Sequence, residues 1–225
     1  MAVLQVPIDV RDVKVRKSEI ARYLGYRGVT PDEAVETRID ACLAKLVAMS
    51  RVRDCYQVFD LSQNEDTLSF AGVFVTSKSL SRNLRACSRV ILFAATIGPG
   101  VDALIRRAEL TSMTDAAIYQ AAGAALIEAV CDQLNLSLKE LARSKGLFLR
   151  PRFSPGYGDV PLALQKDFFR ILDPSKNCGI SLSDSLLMSP SKSVTALIGV
   201  SEKDTPCIID GCESCENAAT CAFRR

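Results

Sequence analysis

The sequence predicts an α+β protein, with an antiparallel or mixed sheet and helices packed on it. Three observations carry that expectation. Residues 89–97, RVILFAATI, form a continuous apolar run of strand length ending at Gly98-Pro99-Gly100, the pattern of a central strand covered on both faces. Residues 30–50 and 114–144 instead repeat apolar side chains at helical spacing. The shorter apolar segments are separated by polar turn sequences with no regular strand–helix–strand repeat, which favours hairpins over parallel crossovers.

In chain order, residues 17–24 read as a short helix, with Ile20, Ala21 and Leu24 on one side and Gly25 to stop it. Thr30-Pro31-Asp32-Glu33 is a helix start: Thr30 can cap, Pro31 suits the first turn and Glu33 closes a capping box. Val35, Ile39, Cys42, Leu43, Leu46 and Val47 then mark one buried face as far as Ser50. Residues 55–61 and 67–75 read as two strands joined by the polar loop 62–66. A short helix is expected over 79–86, the central strand over 89–97 and another helix over 101–110. The longest helix should cover 114–144. Its first half is crowded with Ala116, Ala117, Ala121, Ala122, Gly123, Ala124 and Ala125, a surface small enough for another element or a ligand to approach the backbone closely. Glu128 lies on the stripe of Ala121, Ala124 and Ala125, either a solvated helix charge or an acid at the end of an alanine-lined face. After Asp159 a further amphipathic helix runs to Leu172, and strands are expected over 180–188 and 194–200.

Composition bounds the chemistry. At 225 residues the chain is long enough for a substantial core, and the formal net charge of +2 gives no sign of a nucleic-acid partner. No apolar run approaches the roughly 18 residues that span a bilayer. The N-terminus has no basic region followed by an apolar core, so the expected location is cytoplasmic. There is no histidine, which excludes Ser-His-Asp and Cys-His nucleophiles and any histidine-ligated metal supplied by this chain. Of nine cysteines, Cys42, Cys55, Cys87, Cys131 and Cys178 lie among apolar neighbours and read as reduced core residues. The other four, Cys207, Cys212, Cys215 and Cys221, are spaced C-x4-C-x2-C-x5-C after a polar linker at 201–206. They divide the chain into a main domain, 1–205, and a cysteine-rich tail, 206–225. Four thiolates so close could hold an iron–sulfur cluster or a zinc ion; the plain alternative is a tail of free thiols.

The most distinctive stretch is LRPRFSPGYGDVPLALQKDFFRILD, 149–173. Arg150 and Arg152 each flank a proline, and Ser154-Pro155-Gly156-Tyr157-Gly158 makes a tight turn. Such a turn lets backbone groups approach a small ligand while Arg152 offers a planar fork for a carboxylate or phosphate. A surface turn that caps a helix has the same signature.

The segment RFSPGYGDVPLALQKDFFRILD, followed by GISLSDSLLMSPSKSVTALIGVS, resembles the activation (reactivation) domain of cobalamin-dependent methionine synthase. The early RYLGYRG and the alanine-rich helix are similar to stand-alone versions of that domain, and the resemblance covers roughly residues 15 to 200. It implies a C-shaped α+β fold around a twisted antiparallel sheet, with a shallow site for S-adenosylmethionine. Carried over, Arg152 would meet the methionine carboxylate, Ser154, Gly156 and Tyr157 would line the site, and Glu128 would be the acidic contact from the long helix. No catalytic side chain is implied. The implied role is an accessory subunit that docks on a methionine synthase or another corrinoid protein. There an electron donor and bound S-adenosylmethionine together return oxidised, partner-held cobalamin to its methylated form. Two other roles stay open: an iron–sulfur protein delivering that electron, and a non-catalytic docking module. The chain departs from the fused form in having no cobalamin, homocysteine or folate module and in ending on the cysteine tail.

Overall fold

The computed structural model describes residues 3–26 and 28–204. Its helices are α1 (Lys17–Tyr23), α2 (Glu33–Met49), α3 (Lys78–Asn83), α4 (Pro99–Thr111), α5 (Met113–Arg143), α6 (Gln165–Leu172) and α7 (Pro174–Asn177). Its strands are β1 (Arg53–Asp60), β2 (Ser62–Asn64), β3 (Thr67–Phe70), β4 (Val73–Thr76), β5 (Arg89–Thr96), β6 (Phe148–Leu149), β7 (Ser181–Leu182), β8 (Met188–Ser189) and β9 (Ser193–Ser201).

The apolar run at 89–97 becomes β5, an inner strand of an antiparallel sheet ordered β1-β5-β9-β6. Because side chains alternate along a strand, β5 feeds two cores. Ile91, Phe93 and Ala95 enter one, with Tyr56 of β1, Ala196 and Ile198 of β9 and the buried faces of α1, α2, α4 and α5. Val90, Leu92 and Ala94 enter the other, with Leu80 of α3, Leu68 and Phe70 of β3, Val73 and Val75 of β4, and Phe168 and Leu172 of α6. The result is α+β with antiparallel sheets and packed helices, as the sequence predicts.

Several boundaries differ from expectation for local reasons. α2 is capped by Asp32, whose carboxylate accepts the Val35 N–H at 2.8 Å, and Thr30 lies two residues outside the cap. An ionised cap also suits the positive end of the helix dipole. Residues 67–75 are not one strand. Ala71 and Gly72 both take positive φ, 49° and 75°, and turn β3 back into β4. Two consecutive left-handed residues give the tight hairpin twist, and the alternating pattern simply runs through the turn. The loop expected over 62–66 is mostly strand: β2 pairs with β3, and Glu65 (φ 53°) supplies the reversal. Pro161 keeps Val160 out of the helix, so the chain after Asp159 passes through a single 3-10 turn, Leu162–Leu164, before α6 begins. Residues 180–188 form a two-stranded hairpin, β7–β8, around Leu186 (φ 64°). Ser201, expected in a linker, is buried as the last residue of β9. Cys42, Cys55, Cys131 and Cys178 are buried free thiols as expected, whereas Cys87 is only half-buried. No helix among the described residues is long and apolar enough to cross a membrane.

The N-terminal segment straps the outer edge of β1. Leu4 and Tyr56 exchange both backbone hydrogen bonds, at 2.9 and 2.8 Å. Two residues on, the Val6 N–H donates to Asp54 at 2.8 Å. Asp54 is 3% exposed, and burial pushes its carboxyl up to about 6 against the weaker opposing pull of that hydrogen bond. A carboxyl with a folded-state value above its unfolded one favours the fold when protonated. Its contribution is therefore complete below about pH 4 and is lost as the pH rises through about 6. Asp54→Asn keeps an acceptor for Val6 and removes the charge. Urea denaturation should find the variant more stable than wild type at pH 8, by on the order of 2 kcal/mol, with the two converging below about pH 4.

Candidate functional site

The site is built on α5 and on the chain that returns along β9. α5 is a 31-residue helix capped by Ser112, whose hydroxyl accepts the Asp115 N–H at 3.3 Å. Its small residues have two uses. Ala116, Ala121, Ala122 and Ala125 are buried against neighbouring elements. Gly123 carries the stem of Lys192: a methyl group placed there would lie 3.1 Å from Lys192 Cε and 3.3 Å from its Cγ. Beside that crossing, Ala117, Ala121 and Ala124 form one wall of a hollow of about 400 Å³, closed by Tyr23, Leu24, Gln120 and Lys192. Lys192 Nζ donates to Gln120 Oε1 at 2.8 Å. Asp102 faces the same loop, accepting the Ser191 N–H at 3.1 Å.

One turn beyond Ala124, Glu128 meets Arg152. The guanidinium is forked between two acids of α5, with Nη2 on Glu128 Oε2 at 2.6 Å and Nη1 on Asp132 Oδ1 at 2.5 Å. Arg152 retains only a fifth of its side-chain exposure. Burial works to lower its affinity for the proton, but Asp132, with help from Glu128, outweighs this and holds it firmly cationic. Residue 152 can reach α5 because the backbone on either side of it hydrogen-bonds to β9, through Arg150 N–H to Gly199 O and Phe153 N–H to Leu197 O, each at 2.9 Å. Arg150 goes elsewhere: it is 8% exposed and donates to Arg85 O at 2.8 Å.

In the sequence, Glu128 and Arg152 read as separate ligand contacts; the structure joins them to each other and adds Asp132, not singled out there, to the same guanidinium. The i, i+4 spacing of Glu128 and Asp132 on one helix face is the signal that could have found it. Lys192 and the Tyr23–Leu24 wall were missed as well, since only the tertiary fold brings α1 and the β8–β9 loop to α5.

The Ser154–Gly158 turn leans the other way, toward α3. Its backbone is largely satisfied internally, with Gly156 N–H to Val160 O at 3.0 Å, Tyr157 N–H to Ser154 O at 3.2 Å and Val160 N–H to Tyr157 O at 3.0 Å. Gly156 (φ 87°) and Gly158 (φ 55°) take backbone angles that other residues adopt only with strain, and a Cβ on Gly158 would stand 2.9 Å from Ser79 Oγ. The Tyr157 ring is 67% exposed. Asp159 fastens this turn to α3, accepting from Ser77 Oγ, from Lys78 N–H at 2.7 Å and from Ser79 N–H at 3.2 Å. Cys207, Cys212, Cys215 and Cys221 lie outside the described residues. Among the described residues no cluster of three or more Cys, Asp or Glu side chains is arranged to hold a metal ion.

Against known proteins, residues 57–206 match the family described as the vitamin B12 dependent methionine synthase activation domain. A crystal structure of the MetH reactivation domain bound to AdoHcy superposes with a TM-score of 0.70, at 18% identity, over 92% of this chain and 80% of that one. No curated protein sequence matches the chain.

Desolvation alone would raise Asp159, but the hydrogen bonds from Ser77, Lys78 and Ser79 hold its carboxyl down at about 2. Its contribution is therefore present above about pH 4 and lost as the pH falls through 2. Asp159→Ala should destabilise the protein by about 1 kcal/mol at pH 7, since it removes the acceptor of the Lys78 and Ser79 amides. In urea titrations that difference should shrink toward pH 2.

Proposed function

Because this chain belongs to the vitamin B12-dependent methionine synthase activation-domain family, we propose that it is a reactivation subunit that binds S-adenosylmethionine for a corrinoid protein, a methionine synthase or a related methyltransferase. The observation that carries the reading furthest is the alanine-walled hollow on α5, with the Glu128–Arg152–Asp132 cluster one turn further along the same helix. Its volume of about 400 Å³ falls within the roughly 300–1,000 Å³ of small-molecule sites. Its charges suit a sulfonium: two carboxylates against one guanidinium leave a net negative end for the ligand's cationic groups. Ser154, Gly156 and Tyr157 stand apart from this hollow, in the turn fastened toward α3, and in this reading they take part through the exposed Tyr157 ring, which is available to a flat group.

In this reading the chain supplies no nucleophile and no general base. Cobalt of the partner's corrinoid, given one electron by an external donor, takes the methyl group, so that cob(II)alamin, an electron and S-adenosylmethionine give methylcobalamin and S-adenosylhomocysteine. The protein's own residues hold the methyl donor and fix its direction, which is a catalysis of proximity and orientation. Arg152 fixes Glu128 in place. An acid pinned by a buried guanidinium does not have to be ordered when the ligand arrives. The cysteine tail would hold an iron–sulfur cluster or zinc only as a separate property.

Isothermal titration calorimetry of the full chain with S-adenosylmethionine tests the reading. Wild type should bind, and Arg152→Ala should weaken binding at least tenfold, because Glu128 and Asp132 then lose their common anchor. Absence of heat for wild type at millimolar ligand would overturn it.

A further inference from the structure

Two thiols that the proposed function does not use meet in the core beneath α6. Cys55 lies in β1, opposite Ala94 of β5, and Cys178 ends the short helix α7. The two residues are 0% and 2% exposed, and their sulfurs stand 3.0 Å apart, with the Cys178 thiol donating to Cys55. A disulfide measures about 2.0 Å between sulfurs, so roughly 1 Å separates this pair from a bond. Cys42 and Cys131 are buried in the opposite core, away from this meeting. The pair joins two parts of the fold that are far apart in sequence, 123 positions, one in the main sheet and one in the segment that covers it. That segment is closed on itself by the Cys178 and Ile180 N–H groups, which donate to Pro174 O at 2.9 and 3.1 Å and hold Cys178 in place against β1.

We propose that Cys55 and Cys178 are a modification site, which a hydroperoxide converts into a disulfide that fastens the α6–α7 segment to β1. With hydrogen peroxide, the smallest of that class, one thiolate attacks a peroxide oxygen and breaks the O–O bond, leaving a sulfenic acid and one water. The neighbouring sulfur then attacks the sulfenic sulfur and displaces the second oxygen as water. Two thiols and one peroxide give one disulfide and two waters: the sulfurs lose two electrons and the O–O bond takes them. The reaction is slow by construction. The Cys178 thiol alongside, and then burial, push the Cys55 thiol up, so little thiolate is present at neutral pH. The same burial keeps bulky oxidants out and leaves a sulfenic acid on either residue facing the other sulfur. The site therefore records sustained oxidation rather than a brief pulse, and a link across so long a stretch of chain restricts the unfolded state strongly.

The test uses the full chain, reduced and then held in hydrogen peroxide. It is denatured in iodoacetamide to block the remaining thiols and digested with trypsin without reductant. Cleavage after Arg53, Lys78, Lys176 and Lys192 isolates Cys55 in peptide 54–78 and Cys178 in peptide 177–192, each with no other cysteine. The expected product is these two peptides joined, lighter than their sum by the two hydrogens lost, and split again by dithiothreitol. The oxidised protein should melt about 5–15 °C above the reduced one, and Cys178→Ala given the same treatment should show no such rise. Recovery of both peptides in alkylated form, at a dose that has oxidised the half-buried Cys87, would overturn the proposal. Joining of either peptide to a different cysteine, or a rise in melting point that persists in Cys178→Ala, would overturn it too. The peptide readout needs no variant, so it decides even where Cys178→Ala folds poorly. None of these outcomes bears on S-adenosylmethionine binding, which calorimetry of the reduced protein tests separately.

Discussion

An apolar strand that cannot face water on either side sets the terms for this protein. β5 is buried from Val90 to Thr96, so both its faces must be covered, and the sheet has to sit between two layers. The two layers have different character. One is helical and brings α5 over Phe93 and Ile91. The other combines α3, α6 and the β3–β4 hairpin over Leu92 and Ala94. The chain between β6 and α6 passes from the first layer to the second, which is why Arg152 is held by α5 while the turn only two to six residues later is fastened to α3. The placing of Arg152 beside α5 and the exposed tyrosine face are products of that passage.

Electrostatics then marks two places along α5. The guanidinium of Arg152 takes two acids from a single helix face, while about two turns away along that helix Gln120 accepts from a half-buried lysine, Lys192, that reaches it from the β8–β9 loop. Charges held partly out of water interact more strongly than the same charges in bulk solvent.

Much of the fold was legible in the sequence, where one local pattern dominated. The β5 run and the 31-residue helix follow from periodicity and length. The errors came where two short elements shared one pattern. Alternation continues through Ala71–Gly72, so a hairpin read as a strand, and nothing in residues 180–188 signals that Leu186 takes a left-handed angle. Asp132 and Lys192 were missed for different reasons. Asp132 is a local oversight, one turn from a residue already singled out. Lys192 meets Gln120 across 72 positions of sequence, and no pattern within either segment announces the other.

The strap formed by the first residues has a consequence for how copies of this protein behave at high concentration. β1 and β6 are the two margins of the main sheet, and margins with open backbone groups invite a neighbouring chain to add a strand. On the β1 side, Leu4 already occupies Tyr56. On the other, β6 is two residues long and gives way to Pro151, which has no amide hydrogen to donate. Among the described residues, one border has a middle residue already paired and the other stops just short of a proline, so each offers a shorter run of open amides to a neighbouring chain than a bare strand of the same length would.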